Sequence, residues 1–586
     1  ERRALVMLNR GAGQQAMASA AYDAAYALFT AALELLPADA WVREPELGLT
    51  LHQDVTDAAC ASQQFAAALE HGQIVISRAE DPLVAAQAYW RMIEVHIAQH
   101  ANLDAIRLGL EGMSRLGIEL PADPTDADSG AALQATAEAL RPYDVAALLD
   151  LPLMTDPRTL GAMRLAMLVV VPCAFVSGNQ FVSLTTTMVR QTLTHGLAPA
   201  SAFGFVLYSN ILCGPLKQHP LGYRFGRLAL DLVEKLDLPD LSPMVTLSFE
   251  TSVRHWVDHL GASLAPLLEA YRLAISQADF GYAALCAVNH CTQLHQAGRP
   301  LDQVLATMMD LQAGLERIKQ SGHVYAILIE RAAVEALGRR DRIEVRLVGA
   351  AFDEQRELPK LREAGDLTHL VQVDMAKAML ATTFGDFKLS RLHALTALET
   401  VFETGWRATH YPQLTCFHGA LGILNAPSAD PEGDRRDLDR CLEALGAVAA
   451  TGPMNYGHKL ALVQAEQARL EGRVPEAMGL YDRAIEGARE QGFLQDEALA
   501  AELAGQFYLG RGHGLIAEAY LAAAYRGYQA WGAMAKLQQL RNRHSFLRGV
   551  AGRGSEGEIR ETTRFGSLRG GTDRFSSIKG ETLRGS

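Results

Sequence analysis

The sequence predicts an all-α protein, a stack of helical hairpins, and three observations carry that reading. Apolar residues recur at i, i+3, i+4 and i+7 along most of the chain, the period of a helix buried on one face. Strong helix formers (Ala, Leu, Glu, Gln, Arg) are abundant, and period-two alternation is rare. Small residues return at hairpin-sized intervals where two helices would touch, with large residues filling the gaps between them.

The first block, 1–120, sets Gly13 ahead of Ala25, Phe29, Ala32 and Pro37, the spacing of a tetratricopeptide second helix and its stop. A loop and linker region, 121–160, follows; it opens with the Pro/Asp-rich stretch Leu120–Gly130. Residues 161–424 read as a central helical-repeat block. Its one alternating run, Ile343–Val348, follows the basic residues Arg339–Arg342 and is expected to be a solvated helix end more than a strand. A polar insertion, 425–437, precedes the C-terminal block, 438–546. There Gly472, Ala477, Tyr481 and Ala484 set up one close approach, and Gly505, Tyr508, Gly512, Ala517, Leu521 and Ala524 repeat it 40 residues on. Each hairpin leaves an apolar face that only its neighbour covers, so the expected product is a tetratricopeptide-like α-solenoid with a concave surface. From 547 to 586 Gly, Ser, Thr and Arg prevail, too few apolar groups to offset the entropy of ordering, and a disordered tail is expected.

With 54 basic and 67 acidic residues among 586, a net charge of −13 and a pI near 5.8, the chain has no basic field to grip nucleic acid. Its seven cysteines are odd in number, scattered and never spaced C-x-x-C, which argues against a disulfide framework or zinc ribbon and for a reducing, cytoplasmic setting. The longest apolar run, Leu165–Val176, has 12 residues and contains Pro172. Crossing a bilayer takes about 20, so no membrane-spanning helix and no membrane partner are expected. The start at Glu1, without a basic-then-apolar leader, reads as a cut through a longer polypeptide.

Signatures of catalysis are sparse. Gly-Lys never occurs, so there is no phosphate loop. Asp279-Phe280-Gly281 spells the magnesium triplet of kinases without its partner loops, and Gly11-Ala-Gly13-Gln-Gln-Ala16 resembles a dinucleotide fingerprint without the following βαβ pattern; both are better explained by helix boundaries and helix packing. His96 with His100, and His255 with His259, have the i, i+4 spacing of a metal pair. Cys286, His290, Cys291 and His295 spread around a helix and would not converge on one ion, so neither metal nor cofactor is expected. Arg254, His255, Trp256 and Asp258 place cation, aromatic and acid within a turn and a half, a candidate binding rim that a capped helix end with Trp256 in the core also predicts. In the tail, Arg564–Gly570 recurs as Arg574–Gly580, placing Ser567 and Ser577 three residues after an arginine, where basophilic kinases often act. The tail carries seven basic and five acidic residues from 549 to 586, so it could rest on the acidic body until phosphate lifts it off.

Several separated motifs together carry a family resemblance: Leu151–Pro157, Gly222–Ala229, Leu480–Ile485, Phe507–Leu509, then Tyr528–Ala533 with Lys536. In this order they resemble the helical region of the large predicted-ATPase signalling proteins, over roughly residues 1 to 545. In that family a Ser/Thr-kinase-like domain and a P-loop ATPase precede the region, and GAF sensors with a histidine kinase, or a cyclase, follow it. The resemblance implies a regulatory middle whose partners are proteins or adjacent domains, with a small-molecule ligand on the concave face as an option. The family's kinase and ATPase residues have no counterparts here, so none is carried over, and the chain is expected not to be an enzyme. The alternatives are a fragment of an active, ATP-binding sensor kinase and the ligand-sensing solenoid of a transcription activator.

Overall fold

The structure, a computed structural model, describes residues 1–548 apart from 38, 341 and 351. Among the described residues there are 27 α-helices and five short 3-10 turns, and no strand. Two isolated bridges, Leu153 with Leu197 and Val348 with Asp353, are the extent of β pairing among these residues. The run Ile343–Val348 is thus neither strand nor helix end but loop, pinned at its close by that second bridge.

Local chemistry sets the helix ends. Asp81, Asp156, Asp279, Asp353, Asp366, Asp386 and Asp430 each accept a hydrogen bond from a backbone N–H of the first helical turn, which that turn cannot satisfy itself. Asp279 of the kinase-like triplet is one of these caps, on Phe280–Gln296. In the C-terminal block, Gly472, Gly492, Gly512 and Gly532 take φ of 73°, 75°, 81° and 98°, the left-handed turn that glycine adopts without penalty. The early glycine is also placed by packing: a Cβ on Gly13 would lie 2.5 Å from the Phe29 ring.

The helices alternate between two roles. Outer ones bury a single stripe: in Val474–Glu490 the buried residues are Ala477, Leu480, Tyr481, Ala484, Ile485 and Ala488, at helical spacing. Inner ones are buried nearly all round. In Tyr411–Asn425 only Gln413 and Asn425 escape burial, and Pro199–Cys213 is similar. From Pro199–Cys213 onward each inner helix touches the next: Ser242–Ser252, Phe280–Gln296, Ser321–Gly338, Leu367–Phe384, Tyr411–Asn425, Pro453–Leu470 and Leu494–Gly510. This is the tetratricopeptide-like α-solenoid the sequence predicts.

The solenoid differs from expectation in being closed on itself. The C-terminal helices return onto the central ones: the last, Met534–Arg543, packs on Ser321–Gly338 and Leu367–Phe384, and Gln539 donates to Phe384 O over 2.8 Å. Two large cores result, one running from Val75 to Trp256 and one from Ala284 to Leu547, and Val448 and Tyr456 join the first across the fold.

Three segments depart from the sequence reading. Helix Pro157–Val176 spans 20 residues and is long and apolar enough to cross a membrane, because the helix continues through Pro172; half of it is buried, against Pro82–Ala98, Asn102–Arg115 and Gly178–His195. The Pro/Asp stretch becomes helical at Asp126, where Thr125 and Asp128 form a capping box, and the second polar insertion becomes helical at Pro431. Leu547, expected to open the tail, is fully buried; Ser567 and Ser577 lie outside the described residues.

Candidate functional site: the seam that closes the solenoid

Helix Ser242–Ser252 ends and gives way to two 3-10 turns, Arg254–Trp256 and Leu260–Ser263. Arg254 clamps this corner. Its guanidinium holds Glu250 at 2.5 and 2.9 Å and Asp258 at 2.8 Å, tying the helix end to the loop beyond it. Trp256 donates its indole N–H to Ser252 O and stacks on His219, with centroids 4.7 Å apart and planes within 8°. His255 and Trp256 are buried, Arg254 nearly so, and Asp258 is the most open of the four at 39 % of its side chain. The candidate rim therefore faces the protein's own C-terminal block.

That block supplies the partners. Asn455 accepts from Leu260 N–H at 2.9 Å and donates to the carbonyls of His255 and Asp258 at 2.9 and 2.8 Å. Tyr456 Oη meets His255 Nδ1 at 2.8 Å, Thr451 Oγ1 meets His219 Nδ1 at 2.7 Å, and Gln491 O meets His259 Nε2 at 3.0 Å. Gln495 donates to Gln296 O at 2.9 Å. These contacts join residues about 200 positions apart.

Two glycines permit the approach. A Cβ on Gly452 would lie 2.9 Å from Trp256 O, and one on Gly298, at φ +74°, would lie 2.9 Å from Leu494 N and 3.0 Å from Phe493 Cα. Backbone cannot step aside as a side-chain tip can. Gly298→Ala is therefore expected to cost about 2–3 kcal/mol, from left-handed strain and overpacking together. A urea midpoint within error of the parent would show that the approach is looser than the geometry requires.

Behind the seam lies a polar interior. Lys459 is buried against the Asp496 carboxylate, His458 Nε2 contacts the same oxygen at 2.9 Å, and Phe493 lies 4.4 Å from the Lys459 ammonium. Burial works against ionising Asp496, but Lys459 and His458 prevail and hold its carboxyl well below the usual range. Burial pushes His418 and His458 down to about 4, and burial with Lys459 nearby takes His410 to about 3. His255 falls well below its ordinary value through burial, with His410 and His219 adding to it. Farther along, Tyr411 donates to Glu330 at 2.7 Å, His295 sits 3.1 Å from the same carboxylate, and Lys536 pairs with Glu502 at 2.8 Å.

The chemistry of this arrangement is cohesive. His458 and Asp496 make the contact of a catalytic pair, yet the other imidazole nitrogen faces no hydroxyl or thiol, and Lys459 occupies the carboxylate. The two histidine pairs with i, i+4 spacing diverge: His96 lies within a helix and His100 beyond its end at φ 58°, while His255 and His259 take separate partners. His290 contacts Leu264 O, His295 contacts Glu330, and burial raises the Cys286 thiol to about 12. Among the described residues no three His, Cys, Asp or Glu side chains are grouped to hold an ion. A cleft of about 520 Å³ lies elsewhere, between Ile343, Val345, Phe384, Phe387, Lys388 and Arg543.

Asn455, Tyr456, Lys459 and Asp496 are not evident from sequence patterns alone. The trace of the first three is a polar run, Asn455-Tyr-Gly-His-Lys459, at the start of an inner helix that goes on Leu-Ala-Leu-Val.

The fold and seam define a self-closed tetratricopeptide-like α-solenoid. No family model matches the chain. A stretch of 140 residues, 23% of the chain, is 29% identical to part of Hybrid signal transduction histidine kinase G from Dictyostelium discoideum and spans 4% of that protein's length. The crystal structure of yeast Tom70 superposes over 89% of this chain and 99% of its own at 12% identity, with a TM-score of 0.23, too low to carry an argument.

Proposed function

We propose that this chain is a non-catalytic helical-repeat region of a signal-transduction protein that relays the state of one neighbouring module or bound protein to another. The observation that carries the reading is the match to a signal-transduction histidine kinase, since most of a 140-residue stretch must fall within the hairpins that make up nearly all of the described chain. The seam supports it: a stack cross-tied at positions about 200 residues apart passes a displacement between distant repeats, which an open stack does only through every hairpin in turn. The seven cysteines, none in a disulfide, support a reducing cytoplasmic setting. A small-molecule form of the relay has the cleft beside Phe384 and Arg543 as its natural seat.

Two measurements test this. Purified protein with magnesium and ATP is expected to release no phosphate above the buffer rate; turnover that a substitution within the chain abolishes would favour the sensor-kinase reading instead. In the full polypeptide its gene encodes, Tyr456→Phe loosens the seam by one hydrogen bond and is expected to change output activity severalfold. Output indistinguishable from the parent would leave the region a passive spacer.

A further inference from the structure

Six histidines converge on the seam from five segments: His219, His255 with His259, His410, His418 and His458. Each is buried or half-buried, and between them they make three of the contacts that cross the closure. We propose that the seam is an acid-released latch: protonating these imidazoles frees the C-terminal block from the central one while the hairpins of each block stay folded. The inference does not depend on the relay reading.

The surroundings of these rings leave an added proton without a counter-ion of its own, His458 alone touching a carboxylate, that of Asp496, which it shares with Lys459. His255 faces Tyr456 from Pro453–Leu470, His410 from the turn before Tyr411–Asn425, and His219 from His219–Lys235. His410 has His255 on one side and Lys459 on the other, and neither of its ring nitrogens has a protein partner. His418 contacts Thr382 and lies near Lys459 and Asp496. His458 lies among Lys459, Asp496 and His259. His219 faces Thr451 and Trp256 with Lys217 nearby, and His259 faces Gln491 O with Arg299, Asp258 and Lys459 around it. The two carboxylates in reach are taken, Asp496 by Lys459 and Asp258 by Arg254.

Released, the rings at the closure, His219, His255, His259 and His410, titrate near 6.5; closed, burial holds each of them lower, His410 at about 3. The open form binds more protons between those limits, so closure is at full strength above pH 6.5 and weakens as pH falls through the window. At pH 5.5 the His410 ring shifts the closed-to-open ratio about tenfold toward open, and the other three push the same way. The hairpins are held mainly by apolar stripes that carry no proton-linked charge.

Hydrogen exchange on the full chain at pH 7.5, 6.0 and 5.0, with times scaled for the intrinsic rate, tests the latch. Peptides covering 250–263, 453–470 and 491–500 are expected to lose at least tenfold protection between pH 7.5 and 5.0, while 82–115 keeps its protection and the radius of gyration grows. Uniform loss along the chain, or none at the seam, overturns the proposal. His410→Leu removes a ring that has no hydrogen-bond partner and is expected to lower the pH at which the seam opens; an opening pH unchanged in this variant also overturns it.

Discussion

Replacing Lys459 by methionine is expected to cost about 3–5 kcal/mol, because it leaves the Asp496 carboxylate in a dry interior with only the neutral His458 ring beside it. Both side chains are below a tenth exposed, so water cannot take over the lost partner. Restoring neutrality with Lys459→Met and Asp496→Leu together is expected to recover most of that loss, since an apolar pair of similar volume needs no counter-charge. Urea denaturation of the two single variants and the double measures the coupling. Equal destabilisation of single and double would mean that packing around Phe493, and not the charge, carries the effect. The Asp496 contribution is present above the ordinary carboxylate range and is lost only in strong acid, as pH falls through its lowered folded value. It therefore fails in the same direction as the histidines, but at lower pH.

Asn455→Leu is expected to cost a further large sum, about 3–6 kcal/mol, by leaving Leu260 N–H and the His255 and Asp258 carbonyls unpaired in a buried place. Asn455→Asp keeps the acceptor for Leu260 but sets a carboxylate against two carbonyls, and is expected to fare no better. Thermal melting together with limited proteolysis between Val257 and Leu260 reports the result. A parent-like melt for Asn455→Leu would show that the seam is an incidental contact.

Hairpins were legible where glycine marks the turn. Gly472, Gly492, Gly512 and Gly532 fall 20 residues apart and all take positive φ. In the central block only some left-handed turns fall on glycine (Gly196, Gly298, Gly365 and Gly385); Lys217, Asp237, Ala278 and Lys319 take the others, at φ of 53°, 50°, 58° and 59°, so composition punctuates that block only in part. The Arg254–Asp258 cluster stood out because its charges and aromatic ring are adjacent in sequence. Its purpose did not, because Asn455 and Tyr456 meet it only after some 200 residues of superhelix, a distance over which hydrophobic periodicity carries no information about register. The helical run through Pro172 was masked for a simpler reason: a proline deep in a helix forfeits one hydrogen bond, and the apolar packing of the helix's buried half outweighs that loss.

A stack of hairpins ordinarily folds as a line, with each unit docking on the last and contact order low. Closure changes the kinetics. Once His255 must find Tyr456 and Gln539 must find Phe384, the final step is a long loop closure that no single hairpin accelerates. Refolding is then governed by two clocks, a fast one for the hairpins and a slow one for their return.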